Sequence, residues 1–186
     1  MSEFDGLLRR VKDGVDRGAL TQQEAAHYIG EHVARRLYCS SATLWTMAGP
    51  PGLRVLTRVG GFDATLKMPL AEPVQVTLAG TSTWHDTLTR EGVFATADVH
   101  AEPRLGGEHA GIAGLRRVRG LLQAGIGANA DLWGFVSCAQ YDAPRLWTLR
   151  EIVHLQRIAI ALSFRRSRDR AAVRGQLVKR VSPAST

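Results

Sequence analysis

The stretch from Arg116 to Asp142, RRVRGLLQAGIGANADLWGFVSCAQYD, constrains the fold more than any other part of the chain. It reads as two strands around a tight turn. In the first, Val118, Gly120, Leu122, Ala124 and Ile126 alternate with Arg119, Leu121, Gln123 and Gly125. In the second, Leu132, Gly134, Val136 and Cys138 alternate with Trp133, Phe135, Ser137 and Ala139. Both faces are largely apolar or small, which is the pattern of a central hairpin covered on two sides. The link supplies Gly127, Asn129 and Asp131, residues that tolerate turn dihedrals.

The flanking segments fit around this hairpin. Residues 3–16 place Phe4, Leu7, Leu8, Val11 and Val15 at helical spacing. Thr21-Gln-Gln-Glu24 is a capping box, and the helix it starts runs to about Tyr38 with Ala25, Ile29, Val33 and Leu37 on one face. Gly30 costs that helix some stability. Ser41–Met47 and Leu53–Val59 read as a hairpin across Gly49-Pro50-Pro51-Gly52, one face wetter, as on an outer part of a sheet. Gly60-Gly61, Pro69 and Pro73 break the pattern over 60–80, leaving Gln75–Leu78 as a short extended piece. Thr81–Arg90 is a short helix capped by Thr81 or Ser82, and Val93–Ala97 a short strand. Residues 99–115 form an irregular loop entering a short helix. Thr148 and Glu151 make a second capping box, opening a long helix with Ile152, Leu155, Ile158, Ala159 and Leu162 inward. This order predicts an α+β fold, an antiparallel sheet with helices on one side.

The length, 186 residues, suits one domain. The net charge of +7 invites a nucleic-acid reading, but seven cations and one aspartate between Arg165 and Arg180 carry six of those charges. The body is near neutral. The expected layout is an N-terminal amphipathic helix over 1–20, a domain over 21–166 and a basic tail over 167–186. The tail reads as a solvated helix continuation, a contact for nucleic acid or an acidic partner, or a junction to an output protein. No apolar run is long enough for a membrane span, and the charged start MSEFDGLLRRVKDG is no secretory signal. Cys39 and Cys138 lack metal-ligand spacing and read as reduced thiols of a cytoplasmic protein with no membrane partner.

From Asp98 to Ala159 the chain resembles the GAF domain family. Asp98-x-x-x-Glu102-Pro103-Arg104 is similar to its "D…DPR" step, with glutamate where many members have aspartate. Val118-Arg119-Gly120-Leu121-Leu122 resembles the "GI+S+L" strand and Gly134-Phe135-Val136-Ser137-Cys138 the "GVLC" strand. Arg145-x-Trp147-Thr148-x-x-Glu151 looks like the entry to the closing helix, and Leu155-x-x-Ile158-Ala159 its repeat; Ser41–Trp45 looks like the first strand. The resemblance covers roughly residues 22–166. It implies a twisted antiparallel sheet of five to six strands, terminal helices on one face, and short lid helices and loops over a small-molecule pocket on the other. It also implies a homodimer through the terminal helices, where residues 3–16 add a stripe that one domain does not fully bury.

The specialised versions of that family can be tested against the residues. Covalent bilin attachment needs a lid cysteine, and the methionine sulfoxide reductases use several; residues 60–116 contain none. The dispersed Asn-Lys-Phe-Asp-Glu signature of cyclic-nucleotide binders does not lay onto the chain. His85, His100 and His109 fall in the lid, where meeting in space would give a haem or metal variant; solvated loop histidines are the simpler reading. No serine has a nucleophile-elbow context, so no catalytic residue is assigned and no cofactor is named. A pocket needs apolar walls and a few aimed polar groups. Trp45, Trp84, Phe94, Leu105 and Trp133 are candidate walls, and Asp98, His100, Arg104 and Gln123 candidate polar groups. Each tryptophan is more simply core. Arg104 suits a bidentate anion contact, or a structural bond to Asp98 or Glu102. The expected function is a small-molecule-sensing or signalling module without its own output domain. The alternatives are an interaction-only dimerisation domain with a degenerate pocket, or a small enzyme or haem-binding variant.

Overall fold

The computed structural model describes residues 3–50, 52–80, 82–108, 117–128 and 131–163. The expected turn at Asn129, the lid histidine His109 and the basic tail lie outside the described residues. Two helices, α1 (Glu3–Asp16) and α2 (Gln22–Leu37), lead into strands β1 (Ser41–Ala48), β2 (Leu53–Asp63), β3 (Met68–Pro69) and β4 (Gln75–Ala79). Helix α3 (Thr83–Glu91) and strand β5 (Val93–Thr96) follow, then two 3-10 turns, Val99–Ala101 and Pro103–Glu108. The central hairpin is β6 (Val118–Ala128) and β7 (Asp131–Tyr141), and helix α4 occupies 149–163. The strands form one sheet in the order β3-β2-β1-β7-β6-β5, with β4 also on β2, and every pairing is antiparallel. The strand beyond the expected six is the two-residue β3. Strand β1 lies inside the sheet, between β2 and β7, rather than at its outer part.

One face of the sheet carries the terminal helices. Ala25, Ile29, Val33 and Leu37 of α2 and Leu155, Ile158 and Ala159 of α4 are buried against Ala42, Leu122, Ala124, Val136 and Cys138. Helix α1 packs its Phe4, Leu8 and Val11 into the same core, with Leu7 and Val15 partly buried. The stripe expected to await a partner is thus largely taken up within the chain. Both capping boxes form: Thr21 and Glu24 satisfy each other's backbone N–H at 3.1 and 2.7 Å, and Thr148 and Glu151 do so at 3.3 and 2.7 Å.

Gly60-Gly61 does not break β2, which runs on to Asp63. A Cβ on Gly61 would lie 2.4 Å from the Ala42 carbonyl oxygen, and one on Gly30 of α2 would lie 2.7 Å from that same atom. The glycines are where α2 sits down on the sheet, so the pair expected to break the pattern is a close-packing seat within the strand.

The edge strand β5 is closed by side chains rather than by another strand. Arg104 donates to the Ala95 carbonyl at 3.0 Å, Trp147 Nε1 to the Thr96 carbonyl at 3.2 Å, and the Arg145 backbone N–H to the Ala97 carbonyl at 2.9 Å. Arg145 also donates to the carbonyls of Leu37 and Tyr38, both at 2.7 Å, and pairs with Glu151. A cation there meets the negative end of α2. Its guanidinium lies 4.4 Å from the Trp147 ring centroid. This one arginine ties the end of α2, the edge of the sheet and the start of α4 together.

Candidate functional site

The opposite face of the sheet holds the segments expected to form a lid. Its core is aromatic. Trp45 of β1 stacks on Phe135 of β7 with centroids 5.8 Å apart and planes 6° apart. Trp84 of α3 meets the same ring edge-on at 5.4 Å. Trp84, Phe94, Leu105 and Phe135 are all at or below 1% exposure. The candidate walls therefore pack mainly on one another.

A polar chain runs through this core. Gln123 of β6 is completely buried. Its Oε1 accepts from Trp84 Nε1 at 2.6 Å, and its Nε2 donates to Ser137 Oγ at 3.1 Å. Ser137 is its cross-strand partner in the β6–β7 ladder. An unpaired buried amide would be costly, so the glutamine is where it is because both neighbours answer it.

The charged candidates are committed to each other. Arg104 holds Glu102 through Nε and Nη2 at 2.7 and 2.8 Å and lies 4.6 Å from the Phe94 ring centroid. That bond brings the Glu102 carboxyl down to about 2, against a smaller opposing effect of burial. Asp98 accepts from Arg119 Nε and Nη2 at 3.0 and 2.6 Å and from the His100 backbone N–H at 3.1 Å. The Arg119 guanidinium holds its carboxyl at about 2. Asp98 also caps the Val99–Ala101 turn, on which His100 is exposed.

Trp133 is not with the other walls. It packs against the helix-side core, although strict alternation placed it with Phe135. The reason is a bulge: Ile126 pairs with Gly134 but Gly127 pairs with Leu132, so Trp133 is the extra residue and the alternation resets. A second bulge at Arg119 turns Val118 onto the lid side in the same way. Of the residues missed in the sequence, Phe135 and Ser137 share parity with Ala139 and were open to detection as one lid-facing row. Arg119 was not, because its partner Asp98 is 21 residues away.

Both cysteines lie on the helix side and are buried. Burial, then contact with Cys39, pushes the Cys138 thiol well above its ordinary value. A thiol so placed is a poor nucleophile. His85 is half-buried on α3, 3.6 Å from the Asp86 carboxylate, and among the described residues no cluster of three or more His, Cys, Asp or Glu has metal-holding geometry.

No protein-family model and no curated protein sequence matches this chain. Solved structures do. The blue-light-absorbing form of the Thermosynechococcus elongatus PixJ GAF domain aligns with a TM-score of 0.61 at 20% identity, over 86% of this chain and 92% of that one. The GAF domain of a phosphoenolpyruvate-protein phosphotransferase from Coxiella burnetii aligns at 0.61 and 16% identity, over 90% and 94%. The phycocyanobilin-bound GAF domain of a cyanobacterial phytochrome aligns at 0.62 and 15%, over 90% and 96%. With the sheet order, the helix-covered face and the lid segments all in place, the chain has the GAF fold.

Proposed function

We propose that this chain is a signalling module that relays the state of its lid face to a partner through its terminal helices. The observation that carries the reading is the bridge from β5 to α4. Trp147 and Arg145 take consecutive carbonyls of the lid-side edge, Thr96 and Ala97, and stand directly before α4. A ligand that displaces the Arg104–Glu102 pair would act on Ala95 of the same edge. The ligand class that fits is a small molecule with an anionic group, recognised by Arg104 among Trp45, Trp84, Phe94 and Gln123. Covalent bilin attachment, as a route to colour, lacks a cysteine anywhere between Ser40 and Ser137.

The output side is α4. Its outward residues Leu149, Val153 and Ile160 are 75%, 36% and 53% exposed, while Leu155, Ile158 and Ala159 face the core. Together with Gln156 they follow a 4-3-4 spacing, with β-branched Val153 and Ile160 in one set of layers and Leu149 and Gln156 in the other, the spacing of a two-helix seam. A homodimer through this seam is the expected state. Light scattering tests it: the parent should run as a dimer at micromolar concentration, and Val153→Glu with Ile160→Glu as a folded monomer. A monomeric parent removes the relay through α4. Native mass spectrometry and visible absorbance of the purified protein test the ligand.

A second reading rests on the packing of the lid core. Trp84 and Gln123 are completely buried by the chain itself, and Arg104 and Asp98 already have partners. A module kept for dimerisation alone would look like this. Arg104→Ala separates the two: it abolishes the binding of a copurified ligand under the first and changes only stability under the second.

A further inference from the structure

An open concavity of about 500 Å3 lies on the helix side of the sheet, between α2 and the turn that joins β2 to β3. It is on the opposite face from the lid. Phe62 and Ala64 form its apolar floor, His27, Glu31 and Arg35 stand on the α2 wall, and Lys67 stands on the turn. We propose that this concavity binds a small organic carboxylate, with its apolar body on Phe62 and its carboxylate between Arg35 and Lys67.

The turn is built to hold Lys67 there. Asp63 is buried, and its Oδ1 accepts from the Thr65 N–H and hydroxyl and the Leu66 N–H at 2.8, 2.6 and 2.9 Å. Its other oxygen accepts from the Tyr141 hydroxyl at 3.2 Å. Burial pushes this carboxyl up, but the donors together outweigh it and leave it lowered, hence ionised and holding the turn. At the end of the turn, Lys67 has φ +54°, a left-handed conformation in which glycine or asparagine sits at lower cost. That conformation, with the Asp63 bonds beneath it, fixes where the Lys67 side chain leaves the turn. Among the described residues nothing pairs with that ammonium. Arg35 is joined to Glu31 through Nη2 at 2.6 Å and is 72% exposed, so its remaining donors face outward. The wall charges sum to one positive, which suits a monoanion. The imidazole of His27 stands 5.5 Å from the Phe62 ring, and its buried Nδ1 has no hydrogen-bond partner among the described residues. The two rings pack on each other, so an aromatic or branched aliphatic body lies across the pair rather than between them.

Backbone amide NMR with sodium benzoate as the probe and benzylamine as the cation control tests the site. Benzoate should give saturable shifts confined to residues 27–35 and 62–67, and benzylamine none there. Lys67→Gly removes the charge and relieves the backbone, so the fold survives, while benzoate affinity falls at least about tenfold, the lower end for a charge-assisted bond. Lys67→Arg should restore it. Non-saturating shifts, an equal response to benzylamine, or unchanged affinity in Lys67→Gly would each overturn the proposal. None of these readouts depends on the α4 dimer or on the lid.

Discussion

The two faces of this sheet are packed by different chemistry. The helix face is aliphatic and sulfur-bearing: Leu122, Ala124, Val136 and Cys138 meet Val33, Leu155 and Ile158 across the layer. The lid face is aromatic, carries the buried Trp84–Gln123–Ser137 chain, and is rimmed by the Asp98–Arg119 and Glu102–Arg104 pairs. An aliphatic layer is non-directional and tolerates small rearrangements, whereas a hydrogen-bonded aromatic layer is correct in one arrangement only. The lid face is held in the one arrangement that satisfies those bonds.

That contrast is broken most directly at Leu155, which is completely buried on α4. Leu155→Ala should cost about 2–5 kcal/mol by urea denaturation, with no change in the environment of the lid tryptophans. On the lid face, Gln123→Leu keeps the volume but strands the Trp84 N–H and the Ser137 hydroxyl. It should cost about 1–3 kcal/mol. Adding Trp84→Phe to Gln123→Leu opens a cavity but removes one stranded donor, so the double variant should lose less than the sum of the two single changes. If they simply add, the polar chain is not a unit and the contrast between the faces is weaker than the geometry indicates.

Gly30→Ala sharpens the comparison from the helix side, because two effects oppose there. Helix propensity favours alanine by about 1 kcal/mol. The new Cβ would lie 2.7 Å from the Ala42 carbonyl oxygen and 3.0 Å from Gly61 Cα and Phe62 N. Those neighbours are backbone and cannot swing aside, and overpacking of this kind costs about 1–3 kcal/mol. The net change should be a loss of about 1 kcal/mol. A gain would mean that α2 floats on the sheet rather than being seated on it.

The helix face was largely legible in the sequence, because its signals are local. The 3–4 spacing marked the inner sides of α2 and α4, and the two capping boxes marked their starts. The hairpin was legible from its two-sided apolar pattern. The lid face was legible only in part. Trp45, Trp84, Phe94 and Gln123 were picked as a set and do meet, but each was picked by type rather than by position. Period-two alternation has no means of announcing a bulge, so Trp133 was put on the wrong side. The Asp98–Arg119 pair depends on β5 lying beside β6, a tertiary fact. Gly60-Gly61 was read as a break because a glycine pair that interrupts a strand and one that seats a helix on it are written with the same two letters.

The smallest effect is on pH dependence, and it separates the faces without disturbing either core. On the helix side, His32 and His154 are held below the ordinary histidine value, first by burial and then by the positive charge of Arg36, with Arg157 adding to His154 and Glu3 partly offsetting at His32. His154 Nε2 is buried with no hydrogen-bond partner among the described residues. The unfolded chain therefore binds more protons than the folded one once the pH falls below about 6.5, and stability declines from there as the pH drops. On the lid side the sign of the shift is also downward but the groups are acids. Asp98 and Glu102 sit at about 2, so their contribution is whole above the ordinary carboxylate range and is lost only as the pH falls toward 2. Between pH 7 and 5 only the helix face should weaken. Thermal melts across that range should show a modest fall in Tm that His154→Gln flattens and Asp98→Asn leaves alone. Below about pH 4 the lowered carboxylates titrate, Asp98 and Glu102 on the lid side and Glu24 and Glu151 at the helix caps, and Asp98→Asn should make shallower an acid limb that His154→Gln leaves intact. A fall between pH 7 and 5 that survives His154→Gln and His32→Gln together would mean that groups other than these two histidines set the pH dependence, and would remove the electrostatic contrast between the faces.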